Sequence, residues 1–268
     1  VIWGSSGDNE EKVGKCRSNP FEEVFGMSIY VMSDLHGEAD LFHAMLKQIQ
    51  FSEEDTLYIL GDVIDRGPSG IALLQEIMNT PNMVMLLGNH EEMMLQCCHT
   101  DVSALDFLRW NRNGNAATVS ALRRLDVKEQ KAILEYLRGL PRHLKIQVDG
   151  ISYYLVHGFP SDDPEEELWK RPELNEPNPF TETRVIVGHT PVLNVVVPRE
   201  DRNRFIQIMD KRNEHPQILF ARGYIDIDCG CSYSETMKTL GCLRLEDLAE
   251  FYEVSKTYPI QRMVRNAV

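Results

Sequence analysis

Leu60-Gly61-Asp62-Val63-Ile64-Asp65-Arg66-Gly67 closes an apolar, β-type run that begins at Thr56-Leu57-Tyr58-Ile59. Its carboxylates therefore fall where a buried strand ends and a loop begins, and in open α/β sheets that carboxyl edge is where ligands bind. Asp62, Asp65 and Arg66 are two carboxylates and a guanidinium held together by a Gly-flanked turn. Taken alone, the turn reads equally well as a polar bend with a local ion pair. It has two counterparts. Asp34-Leu35-His36-Gly37 closes an earlier β-like run, and Gly88-Asn89-His90-Glu91 closes a later one. Three strand ends finishing on Asp, Asn or His point to a metal site rather than to three unrelated turns.

Outward from these motifs the chain reads strand, loop, helix, repeated. Residues 29–32 form a short apolar run, and residues 38–48 carry Leu41, Phe42, Met45 and Leu46 at helical spacing. Residues 56–60, 71–78 and 83–87 follow as strand, helix and strand, a βαβαβ order that implies parallel pairing and right-handed crossovers. Residues 91–138 read as helical, closed by Gly139 and Pro141. Residues 144–148 and 151–156 flank Asp149-Gly150, a hairpin signal, and the second of them ends at His157-Gly158. Residues 161–179 are acidic and Pro-containing, and read as an exposed loop. Residues 185–187 lead to Gly188-His189-Thr190-Pro191. The last third reads as short β runs at 193–197, 205–206, 218–220, 224–227, 243–245 and 251–254. A chain that begins α/β and ends mostly β predicts an α/β fold of two packed mixed β-sheets flanked by helices.

The 268 residues can bury a full core, and the formal net charge is -13, from 28 Lys+Arg and 41 Asp+Glu. That balance argues against nucleic acid and against an anionic membrane as partners. It also requires any site for an anionic substrate to reverse the field locally, with metal ions or a few placed arginines. No apolar run approaches the roughly 18 residues of a membrane span, and no signal peptide is evident at the N-terminus. The spacing of the six cysteines fits no usual zinc pattern, and adjacent Cys97-Cys98 would bridge poorly. Free thiols in a reducing cytoplasm are the reading adopted. Residues 1–26 are polar and aperiodic, and Met27 precedes the first strand. We read them as an extension dispensable to the fold, either foreign or a disordered tail, and residues 27–268 as a single domain.

The candidate ligands in chain order are Asp34, His36, Asp62, Asn89, His157 and His189. Each stands at the end of an expected strand, beside or near a glycine. A lone His157 or His189 would be a core histidine, and a lone Asp34 a turn or cap residue; joint occurrence overrides those readings. At average residue frequencies of about 5–7%, Gly-Asp-x-x-Asp-Arg-Gly arises by chance in on the order of one such chain in several thousand. Oxygen and imidazole donors without thiolate suit manganese first, with iron or zinc as alternatives. Six ligands are too many for one ion that keeps open positions, and about right for two divalent ions bridged by Asp62. Such a pair, roughly 3.5 to 4 Å apart, can activate hydroxide and clamp both oxygens of an in-line phosphoryl displacement.

Asp34-x-His36-Gly37, Gly61-Asp62-x-x-Asp65-Arg66-Gly67 and Gly88-Asn89-His90-Glu91 resemble the signature motifs of calcineurin-like metallophosphoesterases, in their phosphoprotein-phosphatase branch. His157-Gly158 and Gly188-His189-Thr190 resemble that family's two later motifs. The resemblance implies a four-layer α/β/β/α sandwich as catalytic domain. It implies one ion on Asp34, His36 and Asp62, and another on Asp62, Asn89, His157 and His189. It further implies that Arg66 grips the phosphate and that His90, oriented by Asp65, protonates the leaving oxygen. A carboxylate beside an imidazole favours its protonated form, as a general acid near neutral pH requires.

Trp110 to Thr118 resembles the Asn-Gly-Gly-x-x-Thr segment of small bacterial and phage phosphatases, and Trp169-Lys170-Arg171 resembles their Trp-x-Arg, whose arginine is a second phosphate contact. Arg184 competes with Arg171 for that role. Residues 225–233 look like the family's Ile-Asp-Thr-Gly-Cys-Val-Tyr strand, but Ser234-Glu235 replaces its glycine pair and Ser33 replaces the usual Gly before Asp34. The implied substrates are phosphoserine and phosphothreonine proteins or small phosphoesters. A bis(5'-nucleosyl)-tetraphosphatase or other phosphodiesterase is the enzymatic alternative, since it shares these motifs. A non-catalytic binding module would have lost a ligand or the Asp65-His90 pair, and neither is lost.

Overall fold

A computed structural model gives the fold of residues 27–98, 102–202, 205, 215–232 and 237–256. β1 (Ile29–Met32), β2 (Thr56–Ile59) and β3 (Met83–Met85) pair in parallel, as the βαβαβ pattern requires. The crossovers are α1 (Ala39–Gln48) and α2 (Gly70–Met78). β9 (Met237–Arg244) pairs antiparallel with β1, and β10 (Glu250–Lys256) with β9, giving the order β10-β9-β1-β2-β3. A second five-stranded sheet runs β4 (His143–Val148), β5 (Ile151–Val156), β6 (Thr183–Val187), β8 (Ile225–Asp226) and β7 (Leu219–Phe220). In it β5, β6 and β8 are parallel and the two edges antiparallel. Both sheets are mixed, as expected.

Strand alternation sorts the core into layers. Val31 turns toward the second sheet and packs with Leu60, Leu86, Leu155, Ile186, Ile225 and Ile227 between the sheets. Its neighbours Tyr30 and Met32 turn the other way, into a larger cluster with Phe42, Met45, Leu74, Ile77 and Ile133 from the helices. The outer face of the second sheet buries Tyr154, Val156, Val185 and Val187 with Phe159 and Tyr224. Each fully buried aliphatic side chain here is worth about 1.5–3 kcal/mol. The two sheets are thereby fixed so that their parallel strands end at a common edge.

The helical stretch after β3 is four helices: α3 (Asn89–Cys97), α4 (Ala104–Arg112), α5 (Ala116–Leu122) and α6 (Val127–Arg138). Asp126 and Glu129 close a reciprocal capping box at the start of α6, each accepting the other's amide at 2.8 Å. Three sequence expectations are corrected. Residues 193–197 are not a strand but a 3-10 turn at Val192–Asn194, with only Val196 bridging to Glu173. Pro191 and Pro198 bracket the segment and cannot donate to a ladder. The acidic loop at 161–179 contains α7 (Pro164–Trp169), whose start was written in the sequence. Asp163 caps the amides of Glu165 and Glu166, Pro164 takes the first turn, and the acidic run suits the helix N-terminus. Phe205 stands in a helical turn, its amide bonded to the Asp201 carbonyl, and Ile206 lies outside the described residues. So do residues 1–26, Tyr233 and Ser234-Glu235.

Among the described residues no helix is long and apolar enough to cross a membrane. The five described cysteines are free, with Cys229, Cys231 and Cys242 buried and Cys97 and Cys98 half-buried.

Candidate metal centre

Every predicted ligand leaves the carboxyl end of a parallel strand. Asp34 and His36 follow β1, Asp62 follows β2, Asn89 follows β3, His157 follows β5 and His189 follows β6. Cross-links between loops set their mutual positions. The amide of His36 donates to the Asp62 carbonyl at 2.9 Å, and that of Gly67 to the His36 carbonyl at 2.9 Å. The amide of His189 reaches across from the second sheet to Asp34 Oδ2 at 2.9 Å, an oxygen that also accepts from the Ser33 hydroxyl. Asp34, His36, Asp62, Asp65, Arg66 and His189 all hold left-handed backbone, with φ between 44° and 68°. That conformation is rare for residues with side chains and clusters at functional sites. At Gly61 (φ 94°) a Cβ would lie 2.5 Å from the Gly88 Cα, so only glycine lets the two strand ends approach.

Glu91 holds the motif loop from behind. It is fully buried, and Oε2 accepts from the amides of Asp62 (2.9 Å) and Gly88 (3.2 Å). Oε1 accepts from Val63 (2.9 Å) and Ile64 (3.2 Å). Burial and the Asp62 charge push the Glu91 carboxyl up to about 7, against the pull of those amides. Sequence reasoning took Glu91 only as a mark of the phosphatase resemblance and gave it no structural role; its place three residues after Gly88 is the reach-back position of a capping box. Glu91→Gln turns an amide NH2 toward amide donors. With unmet buried donors costing about 1–3 kcal/mol each, we expect a loss of about 3 kcal/mol, or roughly 6–12 °C in Tm. Thermal unfolding followed by circular dichroism checks this, and an unchanged Tm would contradict the role.

The histidine tautomers follow from their partners. His36 Nδ1 faces the Ile64 carbonyl at 3.0 Å and His157 Nδ1 the Leu60 carbonyl at 2.7 Å. A carbonyl only accepts, so each Nδ1 carries the proton and each Nε2 is turned to the centre. Burial and neighbouring positive charge hold His36 and His189 well below the usual imidazole range. That favours the neutral form, the one that binds metal, and their Nε2 atoms are buried without a hydrogen-bond partner among the described residues. Burial works against a charged His157, yet Asp62 and Asp34 hold it up at about 9. The proton there does what a dication would do, neutralising a cage of carboxylates. Burial likewise raises Asp62, but His157, His90 and His36 outweigh it and hold that carboxyl well below its usual range. Orphaned imidazole nitrogens around a shared carboxylate are a donor set that fits divalent metal.

Two groups of three can each close on one ion, their ligand atoms all within 4.8 Å: Asp62, His157 and His189, and His36, Asp62 and His90. The first lies inside one predicted ligand set. In the second His90 stands where the resemblance implied Asp34, although Asp34 Oδ1 is also close, 3.8 Å from His36 Nε2. Asn89 Oδ1 lies 2.8 Å from His157 Nε2.

His90 Nδ1 is 2.7 Å from Asp65 Oδ2, and its Nε2 faces the centre, 3.2 Å from the Arg66 guanidinium and 3.8 Å from Asp62 Oδ2. Burial opposes its protonation, but Asp62 and Asp65 raise its pKa above the ordinary value. The helices after β3 set this pair: Thr118 Oγ1 accepts from the Asp65 amide (2.9 Å), and Gly114 carbonyl from the Arg66 amide (2.9 Å). Arg66 itself is exposed at the mouth. Arg171 is exposed too, and its charge acts on His189 and Asp226. Arg184 is committed elsewhere, donating to the Tyr153 hydroxyl at 3.1 Å. Asp226 and Asp228, to which sequence reasoning gave no role, are buried beside the cage and held well above the carboxylate range, chiefly by burial.

Residues 27–221 match the calcineurin-like phosphoesterase family. The chain is similar to serine/threonine-protein phosphatase 2 of Salmonella typhimurium, 30% identical over 156 residues, covering 54% of this chain and 69% of the relative. It is similar also to the symmetrical bis(5'-nucleosyl)-tetraphosphatase of Delftia acidovorans, 34% identical over 117 residues, 43% of this chain and 38% of that protein. In fold it is similar to a solved structure of a candidate diadenosine tetraphosphatase, with TM-score 0.56, 16% identity, and 87% and 95% of the two chains covered. That likeness speaks for the fold alone. The family match spans both sheets up to β7 and every strand end from Asp34 to His189, and on it the chain belongs to the calcineurin-like phosphoesterases.

Proposed function

We propose that this metallophosphoesterase is a phosphomonoesterase acting on phosphoserine and phosphothreonine in proteins. The observation that carries the reading is His90, fixed by Asp65 with its Nε2 turned into the centre. A serine alkoxide is a poor leaving group, and a positioned acid is what its departure needs. Two divalent ions, held by Asp34, His36 and Asp62 and by Asp62, Asn89, His157 and His189, would supply a hydroxide nucleophile and positive charge over the phosphate. Arg66 and Arg171 bind the phosphoryl oxygens, the bidentate match that guanidinium makes best. Asp65 stabilises the His90 imidazolium beforehand; as the phosphorus–oxygen bond breaks, the Nε2 proton passes to the leaving oxygen and His90 is left as neutral imidazole. The proposal extends to manganese as the metal, from the oxygen and nitrogen donors, and to the cytoplasm as the location, from the free thiols.

The match to a tetraphosphatase supports a second reading, cleavage of dinucleoside tetraphosphates at the same centre. Steady-state assays of a phosphoserine peptide and of diadenosine tetraphosphate decide between them, run in parallel after loading with manganese, iron or zinc. We expect the higher kcat/KM on the peptide with manganese. A higher value on diadenosine tetraphosphate would replace the first reading with the second.

A further inference from the structure

Trp110, on α4, is buried, and its indole N–H donates to Asp65 Oδ2 at 2.7 Å. That is the same oxygen that faces His90 Nδ1, also at 2.7 Å. The other carboxylate oxygen, Oδ1, is buried with no hydrogen-bond partner among the described residues. Two donors therefore converge on one oxygen and fix which edge of the carboxylate His90 meets. Take away the indole donor, and rotation of the carboxylate to present either oxygen no longer breaks a second bond. The indole also borders a pocket of about 240 Å³ open to the surface, whose lining includes Met94, Cys97, Phe107 and Arg123.

We propose that Trp110 is a positioning residue for proton donation: through Asp65 it holds the His90 imidazole at the angle from which Nε2 reaches the leaving oxygen. This rests on the phosphomonoesterase reading, in which His90 is the acid. The alternative is that Asp65 merely satisfies a buried indole N–H, as buried tryptophans usually require. The two differ in leaving-group dependence. A positioning role matters when the leaving oxygen needs a proton, as a serine alkoxide does, and little when it does not, as with the phenolate of para-nitrophenyl phosphate.

Trp110→Phe keeps an aromatic ring and removes the donor. On metal-replete protein we expect kcat for a phosphoserine peptide to fall about tenfold, and kcat for para-nitrophenyl phosphate less than about threefold, a fraction of what a positioned acid contributes. KM and bound metal should stay unchanged. Equal losses on both substrates, or none on either, would overturn the inference. Should Trp110→Phe not fold, replacing the indole by benzothiophene keeps the two-ring shape, removes only the N–H, and applies the same criterion. His90→Asn run alongside separates the two ideas. If it too fails to discriminate the substrates, the general-acid reading falls and the role of Trp110 with it. If it discriminates and Trp110→Phe does not, only the role of Trp110 falls.

Discussion

Asp62→Asn is expected to abolish turnover and reduce the bound metal. Oδ1 of Asp62 lies 3.4 Å from His157 Nε2 and accepts from the His90 amide at 3.0 Å. Its Oδ2 lies 3.7 Å from His36 Nε2 and 3.8 Å from His90 Nε2. Asp62 is the residue common to both groups of three that can close on an ion. An asparagine there keeps one oxygen but loses the charge that lets two dications stand close together. Its NH2 would donate to the His36 Nε2 lone pair that a metal would otherwise take, or would face the protonated His157 Nε2 with no acceptor to offer. We expect kcat/KM to drop by at least about 10³-fold, equivalent to about 4 kcal/mol of transition-state stabilisation. Elemental analysis of the purified variant should find fewer than two ions per chain. Full activity with two ions bound would remove Asp62 as the bridge.

His90→Asn separates the acid from the metal cage. Its Nδ1 is engaged with Asp65, and its Nε2, 3.2 Å from the Arg66 guanidinium, is the nitrogen turned to the centre. Losing a positioned acid typically costs 10²–10⁴-fold, and we expect a loss of about that size on phosphoserine peptides. Para-nitrophenyl phosphate, whose phenolate leaves unaided, should lose far less. Metal content is the control, because His90 also stands close enough to His36 and Asp62 to share an ion. Near-normal metal with a leaving-group-dependent loss identifies an acid. Lost metal with equal losses on both substrates identifies a ligand. Asp65→Asn should show the same bias more weakly, since Asp65 acts only by orienting and stabilising the imidazolium.

The strand ends were legible because the chemistry of a parallel sheet's carboxyl edge is local in sequence. His157 follows an apolar run directly, and Asp34, Asp62, Asn89 and His189 each follow one after a single Ser or Gly. What sequence could not supply was contact across long separations. Trp110 meets Asp65 from 45 residues away, and Thr118 meets it from 53. A tryptophan in an amphipathic helix reads as core until the carboxylate beneath it is known. The choice between Arg171 and Arg184 was undecidable for the same reason. Arg171 follows α7 and Arg184 lies within β6, and only the fold shows Arg184 donating to the Tyr153 hydroxyl. The misread strand at 193–197 shows the opposite failure, in which apolar residues outweighed the two flanking prolines. Leu193 and Val196 are instead half-exposed, at 52% and 53%.

The left-handed conformations at Asp34, His36, Asp62, Asp65, Arg66 and His189 bear on how this protein can be improved. Each costs roughly 1–2 kcal/mol that a glycine would not incur. Substitutions chosen only for heat resistance will therefore score best at the positions that hold the chemistry, and will trade turnover for tolerance. A thermostable descendant that still works has to gain its margin elsewhere. Val127, 66% exposed at the first turn of α6, and Leu105, 76% exposed on α4, can be exchanged without touching a strand end. Left to a stability score alone, the strand-end loops would be rewritten first, and what remained would be a durable but inert scaffold.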